Sequence, residues 1–149
     1  MREIISAALK DALKAQDRRR ISTLRLIQAA IQDRDIANRG AGKDPVRDDE
    51  GLQILAKMVK QRQESAKAFE EGQRIDLAEQ EREEIAIIGE FLPKQLGEDQ
   101  VKQACREVID EVGAGGLKDM GRCMAALKEK FAGQMDFAKA SGIVKDMLQ

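Results

Sequence analysis

Apolar residues recur along this chain at spacings of three and four, the period of an α-helix packed on one side. The first such stretch spans residues 2–15, with Ile4, Ile5, Ala8, Leu9, Ala12 and Leu13 on one face. Asp17 is placed to cap a second, residues 18–38, in which Ile21, Leu24, Ile27, Gln28 and Ile31 repeat at helical spacing. Asn38 to Gly42 reads as its end, with glycines free to take left-handed geometry. Asp44-Pro45 opens the third helix, because proline in a first turn lacks only an N–H that would be unpaired anyway. It runs to about Glu71 and turns Leu52, Leu55, Met58, Val59, Ala66 and Phe69 inward. Gly72 breaks it. A fourth helix, about 76–91, carries Leu77, Ala78, Ile85, Ile88 and Leu92 inward and is stopped by Pro93.

Residues 93–97 read as a linker. Beyond it the pattern predicts helices over 98–112, 120–132 and 137–148, with Asp119 and Asp136 as caps for the last two. Glu98 and Asp99 suit the positive N-terminus of the first of these three. The expected architecture is all-α: a four-helix unit over 1–92 and a small three-helix unit over 98–149.

Composition agrees with that class. Good helix formers dominate, with two prolines, four Phe and neither Tyr nor Trp in 149 residues. No apolar run is long enough for a transmembrane helix, and the N-terminus lacks a signal-like apolar block, so a cytoplasmic protein with no membrane partner and two free thiols is expected.

Charge narrows the function. Charged residues make up 36% of the chain but sum to −1, which excludes binding of nucleic acid by bulk charge. Their distribution is uneven. Residues 10–43 hold nine Lys/Arg against four Asp, and residues 70–90 hold eight acids against Arg74 and Arg82. Either these opposite charges face each other between helices, or Arg18, Arg19, Arg20 and Arg25 form a basic ridge for an RNA backbone.

Candidate chemistry is sparse. Histidine is absent, which excludes histidine-based triads and HExxH metal sites. Cys105 shares a face with Val101, Val108 and Val112. Cys123 shares one with Met120, Met124, Leu127 and Phe131. Both read as small core residues rather than metal or redox ligands. Gly40-Ala41-Gly42-Lys43-Asp44 lacks the Ser/Thr, the glycine spacing and the preceding strand of a phosphate loop. Arg62 and Arg82 lie near the apolar stripes of their helices, either as inter-helix ion pairs with a glutamate such as Glu64 or Glu81, or as ligand-holding groups. No catalytic, cofactor or metal residue is assigned.

The final stretch, Asp119 to Leu148, flanks a Gly133 break with two short helices. Between Gly113 and Gln149 stand six bases (Lys118, Arg122, Lys128, Lys130, Lys139, Lys145) and four acids. Either this is a solvated face or it touches an RNA backbone. With only Phe131 and Phe137 nearby, any RNA contact reads shape and phosphates, not stacked bases.

The order Gly121, Met124, Lys128 to Lys130, Gly133, Asp136, then Lys139 to Leu148, resembles the tail of the B subunit of the tRNA-dependent amidotransferase. With Lys60-Gln61-Arg62-Gln63-Glu64-Ser65, Arg74-Ile75-Asp76-Leu77-Ala78 and Phe91-Leu92-Pro93-Lys94-Gln95-Leu96 added, the whole chain resembles the free-standing YqeY-like proteins. In the amidotransferase the similar tail is a mobile appendage that contacts tRNA. Similar modules are fused to some glutaminyl-tRNA synthetases. The kinase and transamidation parts are absent here, so a glutamine-dependent carbon–nitrogen ligase label would be inherited through the tail alone. The resemblance implies a non-catalytic tRNA-binding accessory module, with Lys118, Arg122, Lys128, Lys130 and Lys139 as its RNA contacts and no DNA partner. One departure stands out: Gln134 and Met135 follow Gly133 where relatives often carry a base. The alternative is a protein adaptor that docks on a synthetase, an amidotransferase or itself through exposed Met120, Met124 or Met135. An enzyme acting on glutamine or aminoacyl-tRNA is the third reading.

Overall fold

The computed structural model describes all 149 residues and is all-α, with seven α-helices, one short 3-10 turn and no strand. The chain divides into two compact units, Met1–Leu92 and Pro93–Gln149.

The first unit contains α1 (Arg2–Ala15), α2 (Arg18–Gly40), α3 (Asp48–Glu71) and α4 (Ile75–Gly89). Ile5, Ala12, Leu24, Ile27, Ile31, Leu55, Met58 and Ile88 close together as its core, and Val46 joins them from the loop before α3. Ile4 and Leu13, expected on the inward face of α1, lie on its flanks and are exposed. The α1–α2 turn puts Gln16 in left-handed geometry (φ 56°), and the next N–H, that of Asp17, bonds back to the Ala12 carbonyl. Gln73 (φ 60°) ends α3 in the same way, with the Arg74 N–H on the Phe69 carbonyl. The left-handed residue is thus Gln73 and not the adjacent Gly72, which holds an ordinary φ of −85°. Asp17 caps α2, its carboxylate accepting from the Arg20 N–H at 3.2 Å.

Two expected boundaries move for one reason. Asn38 does not end α2. It is buried, and its amide donates to Glu50 of α3 at 2.9 Å, so the helix continues to Gly40. Nor does Pro45 start α3, which begins at Asp48. The Asp35 carboxylate of α2 holds the intervening segment instead. It accepts from the Val46 N–H at 2.8 Å and from Nη1 and Nη2 of Arg2 at 2.6 Å, while Arg2 also donates to the Val46 carbonyl. One acid therefore ties α1, α2 and the α3 entry strap. At the other end of the unit α4 stops at Gly89, ahead of the expected 91.

The second unit contains α5 (Glu98–Val112), α6 (Met120–Lys130) and α7 (Phe137–Leu148), with a 3-10 turn at Leu117–Asp119. Its core is Ala104, Cys105, Val108, Cys123, Leu127, Met135, Ala140 and Val144. The segment expected to be a linker is bonded into this unit. The Leu96 N–H donates to the Gln134 carbonyl at 2.9 Å, and the Gln95 side chain donates to the Gly133 carbonyl at 2.5 Å. Gly133 takes left-handed geometry (φ 75°) to make the α6–α7 turn. That turn begins after Lys130, two residues before the expected end of α6.

Asp136 caps α7 as expected, through the Ala138 N–H at 2.9 Å. Asp119 does not cap α6. Its carboxylate reaches backward to the Gly115 N–H at 2.9 Å and forward to Arg122 at 2.9 Å, so it closes the glycine-rich loop. These two partners, the Gly115 N–H first, hold the Asp119 carboxyl below the ordinary carboxylate range.

The hydrogen bond from Arg2, then that from the Val46 N–H, lowers the Asp35 pKa to about 2 from its ordinary 3.8. A depressed carboxylate stabilises the fold above its unfolded pKa, and that contribution disappears as pH falls through the folded value. Asp35→Asn is therefore expected to be less stable than the parent near neutral pH. The deficit should narrow as pH is lowered from about 4 towards about 2. Urea midpoints measured across that range check this; a constant deficit would show that the carboxylate charge is not what holds the strap.

Candidate nucleic-acid interface

The five basic positions singled out in the tail do not converge on one cluster. Lys118 stands exposed in the 3-10 turn, ahead of α6. Arg122 follows on the outer face of α6, bonded to Asp119. Lys128 and Lys130, two residues apart, fall roughly 160° apart around the helix axis. Lys130 accordingly reaches α5 and pairs with Glu111, whereas Lys128 is exposed on the other flank. Lys139 is exposed on α7. Lys118, Lys128 and Lys139 are thus the unpaired cations of this group. Arg122 is half-exposed, but its partner Asp119 is largely covered and is held by the Gly115 N–H as well.

Charge in the second unit is polarised by helix. Helix α5 carries Glu98, Asp99, Glu107, Asp110 and Glu111 against Lys102 and Arg106. The stretch from Lys118 onward carries the six bases named above against Asp119, Glu129, Asp136 and Asp146. An anionic ligand meets favourable charge on the α6–α7 side only.

In the first unit the four-arginine patch separates in two. Arg19 lies against α4, 3.2 Å from Glu83 and 3.7 Å from Glu84. Arg20 pairs with Glu90 at 2.5 Å, a contact that raises its pKa further. These two are structural, and the inter-helix pairing weighed for the opposite-charge segments accounts for them. Arg18 and Arg25 remain exposed.

Arg62 is an inter-helix strut. Its Nε donates to Glu84 of α4 at 3.0 Å, and Nη1 donates to the Met58 carbonyl at 3.2 Å. Its partner is neither Glu64 nor Glu81 but Glu84, three residues beyond Glu81 and so on the same helix face. Both side chains are nearly buried, at 15% and 12% exposure. Glu81 stays close by without sharing the bond. Burial, then the charge of Glu84, raises its pKa. Arg82 also makes an inter-helix ion pair, half-exposed and with Glu70 of α3 as its partner in place of Glu64 or Glu81.

Cys105 and Cys123 are fully buried in the second core as free thiols. Burial pushes both thiols up from the ordinary range, opposite to what a reactive cysteine needs. Met135, expected at the surface, is buried at 5%, and Met120 and Met124 pack against the same core. Gly40 to Asp44 is a helix end with Gly42 left-handed (φ 71°).

The model of the Yqey-like protein family matches residues 2–148. The chain belongs to this family. An uncharacterised protein of Schizosaccharomyces pombe is 30% identical over 94 residues, covering 63% of this chain and 73% of the relative. The altered inheritance of mitochondria protein 41, mitochondrial, of Clavispora lusitaniae is 27% identical over 143 residues, 94% of this chain and 80% of its own. The protein of the same name from Pyrenophora tritici-repentis is 24% identical over 130 residues, covering 83% and 69%.

Removing Glu84 leaves the Arg62 guanidinium largely desolvated and without its carboxylate. Glu84→Ala is expected to lower stability by about 2–4 kcal/mol, near the range for breaking a buried pair. Glu83→Ala, which removes only the exposed partner of Arg19, should cost under about 1 kcal/mol. Urea unfolding of both variants decides the matter; equal losses would show that Arg62 is not held by Glu84.

Proposed function

We propose that this Yqey-like protein, a four-helix unit carrying a three-helix tail, is a non-catalytic accessory module that binds the phosphate backbone of tRNA in the cytoplasm. The observation that carries this reading is the set Lys118, Lys128 and Lys139. These cations are exposed and free of acid partners on the α6–α7 side, while the apolar faces of the same helices close into their own core. The likeness of the Gly121–Leu148 motif to an amidotransferase tail supports it. So does the sorting of charge between α5 and the following helices. Gln134 offers no positive charge at the α6–α7 turn, so the contact set rests on the helices flanking it.

An adaptor that docks on a synthetase or amidotransferase is the weaker reading. It relied on Met120, Met124 and Met135 as an adaptable surface, and those side chains pack on the second core. The exposed cations favour a polyanion over an apolar partner.

Phosphate contacts release counterions, so each one adds roughly one unit to the slope of log affinity against log salt. The triple variant Lys118→Glu, Lys128→Glu, Lys139→Glu is expected to bind bulk tRNA at least ~10-fold more weakly, with a slope shallower by about 2–3. Fluorescence anisotropy at several salt concentrations measures both. Unchanged affinity and slope would remove the tail as the RNA surface.

A further inference from the structure

Helix α2 has arginines around much of its circumference, but only one side of it is neutralised. Arg19, Arg20 and Arg34 face neighbouring helices and meet Glu83, Glu84, Glu90 and Glu50. The opposite side reads Arg18, Ser22, Arg25, Ala29, Gln32, Ile36, Arg39. Steps of four and three keep these seven residues within an arc of roughly 100°. All seven are exposed, and none of the three arginines is engaged in an ion pair. Acids are kept off the stripe. Asp17 caps the helix, and Asp35 bonds Arg2 and Val46, with Arg39 adding only its charge at longer range. Asp33 sits about 70° from the centre of the stripe.

We propose that this face of α2 is a second RNA-backbone surface, an arginine ladder of Arg18, Arg25 and Arg39 distinct from the tail. Its ligand class rests on the RNA-binding reading above. At 1.5 Å per residue the arginines stand ~10 Å and ~21 Å apart, ~32 Å from end to end. No single phosphate or small anion bridges such gaps; a polymer with anions at regular intervals does. Between the arginines lie Ser22, Ala29, Gln32 and the exposed Ile36. The first three are small or neutral and let a backbone approach the helix closely, and Ile36 is the single large apolar side chain on the stripe. Each guanidinium presents a planar fork of donors that matches a phosphate and stays charged at any working pH. No aromatic residue lies on the stripe, so bases do not stack there.

The test compares four full-length proteins binding bulk tRNA by anisotropy across a salt series. They are the parent, the triple variant Arg18→Gln, Arg25→Gln, Arg39→Gln, the corresponding triple Arg→Lys variant, and the tail variant of the preceding section. The ladder account expects the Gln variant to bind at least ~10-fold more weakly, with a salt slope shallower by about 2–3, and the Lys variant to keep the parental slope. Helix content and urea midpoint, unchanged by substitutions at exposed positions, separate this from misfolding; the Lys variant keeps the test decisive if the Gln variant fails to fold. Parental binding by the Gln variant, with loss in the tail variant, would overturn the ladder and leave the tail reading standing. Loss in the Gln variant with none in the tail variant would support the ladder and contradict the tail. A parent that binds no tRNA, or from which polyglutamate displaces tRNA as well as unlabelled tRNA does, would overturn the ladder's ligand.

Discussion

The first unit depends on the junction at Glu84. This one carboxylate of α4 accepts from Arg62 of α3 and faces Arg19 of α2, while Met58 takes another of the Arg62 donors. Apolar contacts alone leave helix rotation loosely specified, because a helical stripe of Ile and Leu packs over a range of angles. A nearly buried charge tolerates far less movement, since losing its partner exposes the full desolvation cost. The junction therefore sets α3 against α4, with Arg19 adding a longer contact from α2, whose inward face is set by the buried Leu24, Ile27 and Ile31. Arg19 and Arg20 point inward to α4, and Arg18, Arg25 and Arg39 are left outward.

Asp35 plays the corresponding part at the other end of α2. It fastens Arg2 and the Val46 backbone, which draws an extended strap under the start of α3. In the second unit the tie runs to backbone carbonyls of the α6–α7 turn. Residues 95 and 96 bond to the Gly133–Gln134 turn, so the segment entering α5 is part of the unit's own hydrogen-bonding. All three helices turn their apolar faces into the Cys105–Cys123–Leu127 core, which leaves a charged outer surface on this unit.

Much of the fold was legible in the chain. The apolar spacing located all seven helices, and Asp17 and Asp136 cap where their side-chain chemistry said they would. Three of the misplacements share a cause: a polar group bonded outside the helix expected for it. Asn38 looked like a helix end because asparagine favours turns, yet Glu50 satisfies it in the helix. Pro45 looked like a first turn, yet Asp35 holds its neighbour extended. Asp119 looked like a cap, yet the Gly115 N–H recruits it. Such partners lie in other elements, so local propensity cannot show them.

The candidate site was legible only as a list of basic residues. Pairing reduced the list: Arg122 and Lys130 in the tail, Arg19 and Arg20 in the first unit. Arg39, by contrast, joined Arg18 and Arg25 once the outward face of α2 was known. Its seven-residue spacing was visible in the sequence all along, but without the helix rotation nothing separated that face from the others. What remains on both units is cationic and exposed. The most direct measurement is the affinity of the parent protein for folded tRNA and for an unstructured RNA of equal length, each followed across salt. The account predicts a steep salt dependence and a clear preference for the folded RNA. Equal affinity for the two, or binding indifferent to salt, would contradict it.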